Sequence, residues 1–396
     1  MNVNDRITDY LNHLPDSDRR HLRVVERLDG GRVRIDGREF VDFASNDYLG
    51  LSRHAQVIAA AGEWAQRYGA GAGASRLISG NLAACEQLER KIARLKGSES
   101  ALLIGSGFQT AAGVLAALTD RRLFAADSGR LHVFTDRLCH ASTHFGLAAA
   151  GIRQHRFRHN DLDHIERLLQ QHVTNDDAAL IVCESVYSMD GDRLDAERMR
   201  ELAAQYRSML FVDEAHATGV LGQQGMGLVS NPADHEVVLC TFGKALGSYG
   251  ACVVCSAELR KYLVNRCAAL IYSTALPPAV LGMIDAALDL VTEMDTQRNQ
   301  LQKLSDHLRA QLSALGLDTS NSSTAIVPAL LGDSKSTLQV AAGLLERGFL
   351  VGAIRRPTVP EGTARLRISL SAVHIQQHVD ELVHAIGELV SQKALS

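Results

Sequence analysis

The run Met209-Leu210-Phe211-Val212 breaks into Asp213-Glu214-Ala215-His216, and a later run, Val237-Val238-Leu239-Cys240, gives way to Thr241-Phe242-Gly243-Lys244. An apolar run that stops at carboxylates reads as a buried strand of a parallel sheet, with its acidic residues at the carboxyl end. That is the end at which open α/β sheets bind their ligands. Lys244 lies among glycines and small side chains, where a flat ligand can approach closely. Burial in such a place lowers a lysine's pKa and makes its amine a nucleophile. A lysine and a strand-end carboxylate in this order suit pyridoxal phosphate: the amine forms a Schiff base, and the carboxylate pairs with the protonated pyridine nitrogen. Taken singly, Asp-Glu after a strand is a solvated turn and Gly-Lys an ordinary loop. Together, at this spacing, the cofactor reading prevails.

Three further stretches join them. Ala101 to Ile104 reads as a strand, followed by Gly105-Ser106-Gly107-Phe108 and a helical run from Gln109 to Leu118. Strand, glycine turn and helix leave free N–H groups at the helix start, which hold phosphate. A GxG pair alone is weak and gains weight only beside Asp213 and Lys244. The strand His132 to Asp136 leads to His140, placed either to stack on a planar cofactor or to cap the next helix. Ala179 to Cys183 is another buried strand, running into the polar turn Glu184 to Asp192.

The alternation of strand and helix from about residue 100 to 255 predicts a mostly parallel sheet covered on both faces. Ahead of it the pattern predicts a helix over about Asp5 to Arg27, a hairpin of Arg32–Ile35 and Glu39–Phe43, and helices at Ala55–Tyr68 and Leu82–Leu95. The glycine-alanine run Gly69 to Arg76 is too poor in side chains for a regular element and reads as a flexible connector or a place where backbone packs against a ligand or another subunit. Beyond it follow a helical stretch from about Ala279 to Leu315 with room for one break, strands at Ile326–Leu331, Leu350–Ile354 and Ala364–Leu370, and helices at Ser336–Arg347 and His374–Ser391. The expected organisation is an N-terminal helix and hairpin over 1–45, a large α/β domain over 46–278 and an α+β domain over 279–396.

Composition bounds the partners. A chain of 396 residues exceeds one ordinary core. A net charge of −4 gives no electrostatic reason to expect nucleic acid or an anionic membrane, and no apolar run approaches a membrane span. The start Met1-Asn2-Val3-Asn4-Asp5-Arg6 lacks the apolar core of a signal peptide. The seven cysteines, odd in number and mostly inside apolar runs, read as reduced core residues of a cytoplasmic protein. Cys252 and Cys255 have CxxC spacing, but residues three apart on a strand face opposite ways. The cluster Asp18-Arg19-Arg20-His21-Leu22-Arg23 is a solvated helix face in its plain reading, with Arg20 a candidate for the site.

Ser45-Asn46-Asp47-Tyr48-Leu49-Gly50, Gly105 to Phe108, Asp136 to Ser142, Ser188-Met189-Asp190-Gly191-Asp192, Asp213 to His216, Thr241 to Lys244, Tyr272-Ser273-Thr274 and Ala353-Ile354-Arg355 form an ordered set along nearly the whole chain. With it the sequence resembles the α-oxoamine synthase family of fold-type I pyridoxal phosphate enzymes. The resemblance implies a mostly parallel seven-stranded sheet in a large domain, a smaller C-terminal α+β domain, and a homodimer. It implies that Lys244 carries the cofactor and moves the substrate proton, that Asp213 meets the pyridine nitrogen and that His140 stacks on the ring. Ser188 and His216 would lie beside the phenolic oxygen. Gly107, Phe108 and Thr241 would hold the phosphate, and Ser273 and Thr274 would reach the phosphate in the other subunit. Arg355 would bind the amino-acid carboxylate, with Arg20 and Asn46 as further substrate-binding candidates. The tail Arg355 to Arg367 points to members that condense L-alanine with a pimeloyl thioester of coenzyme A or an acyl carrier protein; glycine with an acetyl thioester is the alternative. Three features depart from the family pattern: Cys85 where histidine is usual, Arg356 where a second proline is usual, and a longer segment from about Leu123 to Leu131.

Overall fold

A computed structural model describes residues 2–15, 18–120, 122–123 and 129–394. Most of the longer segment before the His132 strand, residues 124–128, lies outside them. Contacts divide the chain into a larger unit, Asp47–Ser188 with Asp192–Gln300, and a smaller one, Met1–Asn46, Met189–Gly191 and Leu301–Ser396.

The smaller unit begins with helix α1 (Val3–His13) and strands β1 (Glu26–Leu28), β2 (Arg32–Ile35) and β3 (Arg38–Asp42). The expected helix to Arg27 stops early. Leu14 is extended, at φ −69° and ψ 122°, because Pro15 disfavours helical geometry in the residue before it. The hairpin forms as expected, its core of Val33, Ile35 and Phe40 packed by Leu345 and Leu350.

In the larger unit the chain runs α2 (Ala55–Tyr68), α3 (Ala83–Lys96), β4 (Ser100–Ile104), α4 (Gly107–Leu118), β5 (Leu131–Asp136), α5 (Ala141–Ala149), β6 (Gln154–Phe157), α6 (Leu162–His172), β7 (Ala178–Glu184), α7 (Ala196–Gln205), β8 (Met209–Asp213), β9 (Glu236–Thr241) and β10 (Ala251–Cys255). Four short or long helices follow: α8 (Ala257–Arg266), α9 (Ala268–Ile271), α10 (Pro278–Thr292) and α11 (Asp295–Ala314), whose residues from Leu301 on belong to the smaller unit. The predicted long helix is thus broken at Glu293 and Met294. The sheet has seven strands in the order β4-β10-β9-β8-β7-β5-β6. Only β10 runs against the rest, so the sheet is the mostly parallel one expected. Its central strands are apolar on both faces and fully buried, as crossover helices on both sides require. Each fully buried Leu, Val or Phe contributes about 1.5–3 kcal/mol. Helix α10 starts with Pro278, suited to a first helical turn, and lies so close to α2 that a Cβ at Gly282 would stand 2.5 Å from Trp64 Cγ.

The smaller unit resumes with β11 (Ile326–Gly332), α12 (Ser334–Glu346), β12 (Phe349–Leu350), β13 (Gly352–Ile354), β14 (Ala364–Ser369) and α13 (Gln376–Ala394). The single strand expected over Leu350–Ile354 is two. β12 pairs with β3 in one sheet and β13 with β14 in another, the change of sheet falling at Val351. Among the described residues no helix is long and apolar enough to cross a membrane.

Candidate active site

The carboxyl ends of β8 and β9 and the start of α4 open on one cavity of about 240 Å³. Its lining includes Gly107, Phe108, His140, Glu184, Asp213, His216, Thr241 and Lys244. Seven of the sequence candidates therefore converge, drawn from the turns that follow four strands, β4, β5, β8 and β9.

Each arrives for a local reason. Asp213 is the last residue of β8, 6% exposed, and accepts the Ala215 N–H at 2.9 Å. Burial raises its pKa, while Lys244 opposes the rise. His216 bridges two partners: Tyr48 Oη lies 2.7 Å from Nδ1 and Lys244 Nζ 2.7 Å from Nε2. When Nε2 accepts from the amine, Nδ1–H must donate to the tyrosine oxygen. Lys244 is thus held at one end of a hydrogen-bonded row. Thr241 closes β9, its hydroxyl donating to the Ala215 carbonyl at 3.3 Å.

Helix α4 is capped by Ser106, whose hydroxyl accepts the Gln109 N–H. Its first N–H groups, at Gly107 and Phe108, face no preceding turn and are donors for an anion. A Cβ at Gly107 would come within 2.7 Å of Thr241 Cγ2, so only glycine lets the backbone lie this near the threonine. Of the two sequence readings of His140, the structure shows the helix cap. The residue caps α5, with Nδ1 2.7 Å from Ser142 Oγ, and it lines the cavity. Burial lowers its pKa, favouring the neutral ring.

Glu184 is the site residue that sequence reasoning passed over. It ends β7 directly beside Asp213, in register with it, and accepts the His140 N–H. Burial, then the neighbouring Asp213, pushes its carboxyl well above the usual range. Burial raises both carboxyls of this adjacent pair, and Lys244 opposes the rise at each. Its signal was available: Ala179 to Cys183 stops at a carboxylate just as the Asp213 strand does. Tyr48 was also legible, inside the Ser45 to Gly50 motif.

Other candidates lie elsewhere. Ser188 is half-buried in the turn after β7 and outside the cavity lining. Ser273 and Thr274 line a separate pocket of about 20 Å³ with Arg76 and Cys85, and Ser273 Oγ is held by Gln109. Arg20, Asn46 and Arg355 belong to the smaller unit. There Asn46 Oδ1 accepts from Arg367 at 3.1 Å, and Arg355 donates to the Arg19 carbonyl at 3.2 Å. Arg356 is a solvated arginine paired with Glu361 at 2.8 Å. All seven cysteines are free and buried.

The donor set fits pyridoxal phosphate. A buried carboxylate for a ring cation, an amine within the same cavity, a neutral imidazole on the wall and a glycine-permitted helix start for the phosphate all border one space. Known proteins agree with the geometry. The 8-amino-7-oxononanoate synthase of Gluconacetobacter diazotrophicus is 49% identical over 97% of this chain and 97% of its own length. That of Geobacter sulfurreducens is 43% identical, covering 93% of this chain and 94% of its own. Serine palmitoyltransferase from S. paucimobilis, solved with bound pyridoxal phosphate and myriocin, superposes with a TM-score of 0.87 at 25% identity, covering 100% of this chain and 98% of that one. Residues 38–386 match the aminotransferase class I and II family, and the chain belongs to that family of fold-type I pyridoxal phosphate proteins.

Proposed function

We propose that this protein is an 8-amino-7-oxononanoate synthase, joining L-alanine to a pimeloyl thioester with release of carbon dioxide and free thiol. The observation that carries the reading is the convergence of Lys244, Asp213 and His216 on one cavity, in a chain whose relatives at 43–49% identity bear that name. Bound pyridoxal phosphate supplies the electron sink that lets an amino-acid α-carbon shed a proton.

The residues divide the remaining work. Lys244 would hold the cofactor, and its amine is the base placed to take the proton from the alanine Cα. The 2.7 Å contact with His216 keeps the amine directed. The Asp213 carboxylate, turned toward the cavity, stabilises positive charge on a ring nitrogen; such preorganised charge costs no reorganisation during reaction. His140 gives the ring a flat neutral wall. Ser188 and His216 serve the phenolic oxygen, and the N–H groups of Gly107 and Phe108 with the Thr241 hydroxyl hold the phosphate. Ser273 and Thr274, which line a separate pocket, complete the site of a second subunit in a homodimer. Arg355 takes the alanine carboxylate through its planar fork, with Arg20 and Asn46 on the substrate side, these three resting on family resemblance.

The test is a steady-state comparison of amino acids and acyl thioesters, reading carbon dioxide and free thiol. The proposal requires a higher kcat/KM for alanine with pimeloyl thioester than for glycine with acetyl thioester. A methyl group is worth only about 1–3 kcal/mol of discrimination, so glycine should be a slow substrate. A preference for glycine with acetyl thioester would reassign the protein within its family.

A further inference from the structure

Behind the wall that carries His140, an imidazole is enclosed between two carboxylates. His159 follows β6, in Phe157-Arg158-His159-Asn160-Asp161. Its Nδ1 lies 3.1 and 3.2 Å from the two oxygens of Asp136, and its Nε2 lies 2.9 Å from Asp192 Oδ2. A neutral imidazole has one N–H and can satisfy one side only; carboxylates on both nitrogens call for the imidazolium. Burial alone would lower the pKa, but the bonds to Asp136 and Asp192 raise it to about 10. Asp136 is fully buried, Asp192 nearly so, and Tyr187 packs edge-on at 4.4 Å.

Each carboxylate also organises a turn. Asp136 ends β5 and accepts the N–H groups of Leu138 and Asn160, each at 2.8 Å. His140 stands two residues beyond Leu138. Asp192 lies on the return arm of the turn that leaves β7. In that turn Tyr187 N–H donates to the Asp192 carbonyl at 3.1 Å and Val186 pairs with Arg193. Ser188 is the next residue after Tyr187. The Asn160 side chain adds bonds to the Asp192 carboxylate and the Arg193 carbonyl.

We propose that His159 is a positioning residue. Clamped between Asp136 and Asp192, it ties the turn bearing His140 to the turn bearing Ser188 and so fixes how a bound cofactor sits between its ring-face and phenolic-edge contacts. The inference rests on the pyridoxal phosphate site proposed above. Displacements well under an ångström matter here, because the reacting bonds must be aligned with the ring.

The experiment compares wild type and His159→Asn by far-UV circular dichroism, by the visible circular dichroism of the bound cofactor, by cofactor titration of the cofactor-free protein, and by kcat and KM. Asparagine can keep at most one of the two bonds. The expected result is an intact fold, a visible band that loses intensity relative to its absorbance, cofactor binding weakened about tenfold, the worth of one charge-assisted hydrogen bond, and kcat reduced more than KM is raised. A variant that only melts earlier, with visible band and cofactor affinity like wild type, overturns positioning in favour of a structural role. If His159→Asn does not fold, Asp192→Asn keeps the shape while removing one charge. It is read by the same signals, and an unchanged visible band again overturns the inference. A wild-type protein with no cofactor band at all would overturn the cofactor reading itself, and this inference with it.

Discussion

Strand β8 ends at Asp213 and Glu214 follows directly, two consecutive carboxylates that the molecule treats in opposite ways. Glu214 is fully buried, paired with Lys96, and takes the N–H groups of Leu228 at 2.6 Å and Val229 at 2.9 Å. Lys96 is itself 2% exposed and donates also to the Met226 carbonyl. The protein satisfies that charge with its own donors, and the result is a pinned loop over residues 226–229. Asp213, one position earlier, points the other way, into the cavity shared with Lys244. Burial does not separate the two; the alternation of side chains along a strand does. A carboxylate saturated by the fold should register in stability, and one turned toward a cavity should register in activity.

The sharpest break in that contrast is Lys96→Met. It leaves Glu214 buried without its cation, which typically costs about 3–5 kcal/mol. The cofactor-free protein should melt well below wild type, while the folded fraction binds cofactor nearly as tightly. A wild-type melting curve would show that Glu214 is satisfied without Lys96. Asp213→Asn should do the reverse. Turnover should fall by about 10²–10³-fold, the usual effect of removing one preorganised electrostatic partner. The cofactor-free protein should melt no earlier, because a buried charge has gone. Near-native turnover in this variant would remove Asp213 from the mechanism.

Gly107→Ala probes the end of the same cavity that is proposed to hold the phosphate. Its new Cβ meets Thr241 Cγ2 at 2.7 Å, and overpacking of this kind costs about 1–3 kcal/mol. The clash should lower the melting temperature of the cofactor-free protein, and the backbone shift that relieves it should also raise the cofactor dissociation constant. Unaltered affinity would mean that the backbone there does not approach the phosphate.

The smallest effect is one of pH, and it extends the comparison to two histidines. In the folded chain His159 is raised to about 10, so its contribution is complete below the unfolded value of about 6.5 and is lost as pH rises toward 10. His374, in the smaller unit, is lowered to about 4 by burial and then by His378. The unfolded chain binds a proton there first, so its contribution is complete above about 6.5 and is lost as pH falls toward 4. Stability of the cofactor-free protein should therefore decline on both sides of neutrality. His159→Asn should flatten the alkaline limb alone; an unaltered alkaline slope would contradict the doubly bonded imidazolium.

Legibility in the sequence followed the same physics. Buried central strands announced themselves because both faces are apolar, and the Asp213, Lys244 and Gly107 turns stood out as abrupt ends of those runs. Strand β6, Gln154-His155-Arg156-Phe157, was missed because an edge strand with one buried residue shows no apolar pattern. Likewise β3 and β12 pair across some three hundred residues, and nothing local encodes that contact. Glu184 carried the right signal but no partner motif drew attention to it. His159 gave none at all: a histidine between an arginine and an asparagine looks solvated until Asp136 and Asp192 are seen to close on it.

The central claim is that Lys244 is the residue that holds pyridoxal phosphate. Borohydride treatment of the loaded protein, followed by peptide mapping, tests it most directly. The account predicts a single reduced cofactor–lysine adduct in the peptide containing Thr241 to Gly247, and Lys244→Ala protein that stays folded yet takes no label and does not turn over. Label on any other lysine, or turnover surviving in Lys244→Ala, would contradict it.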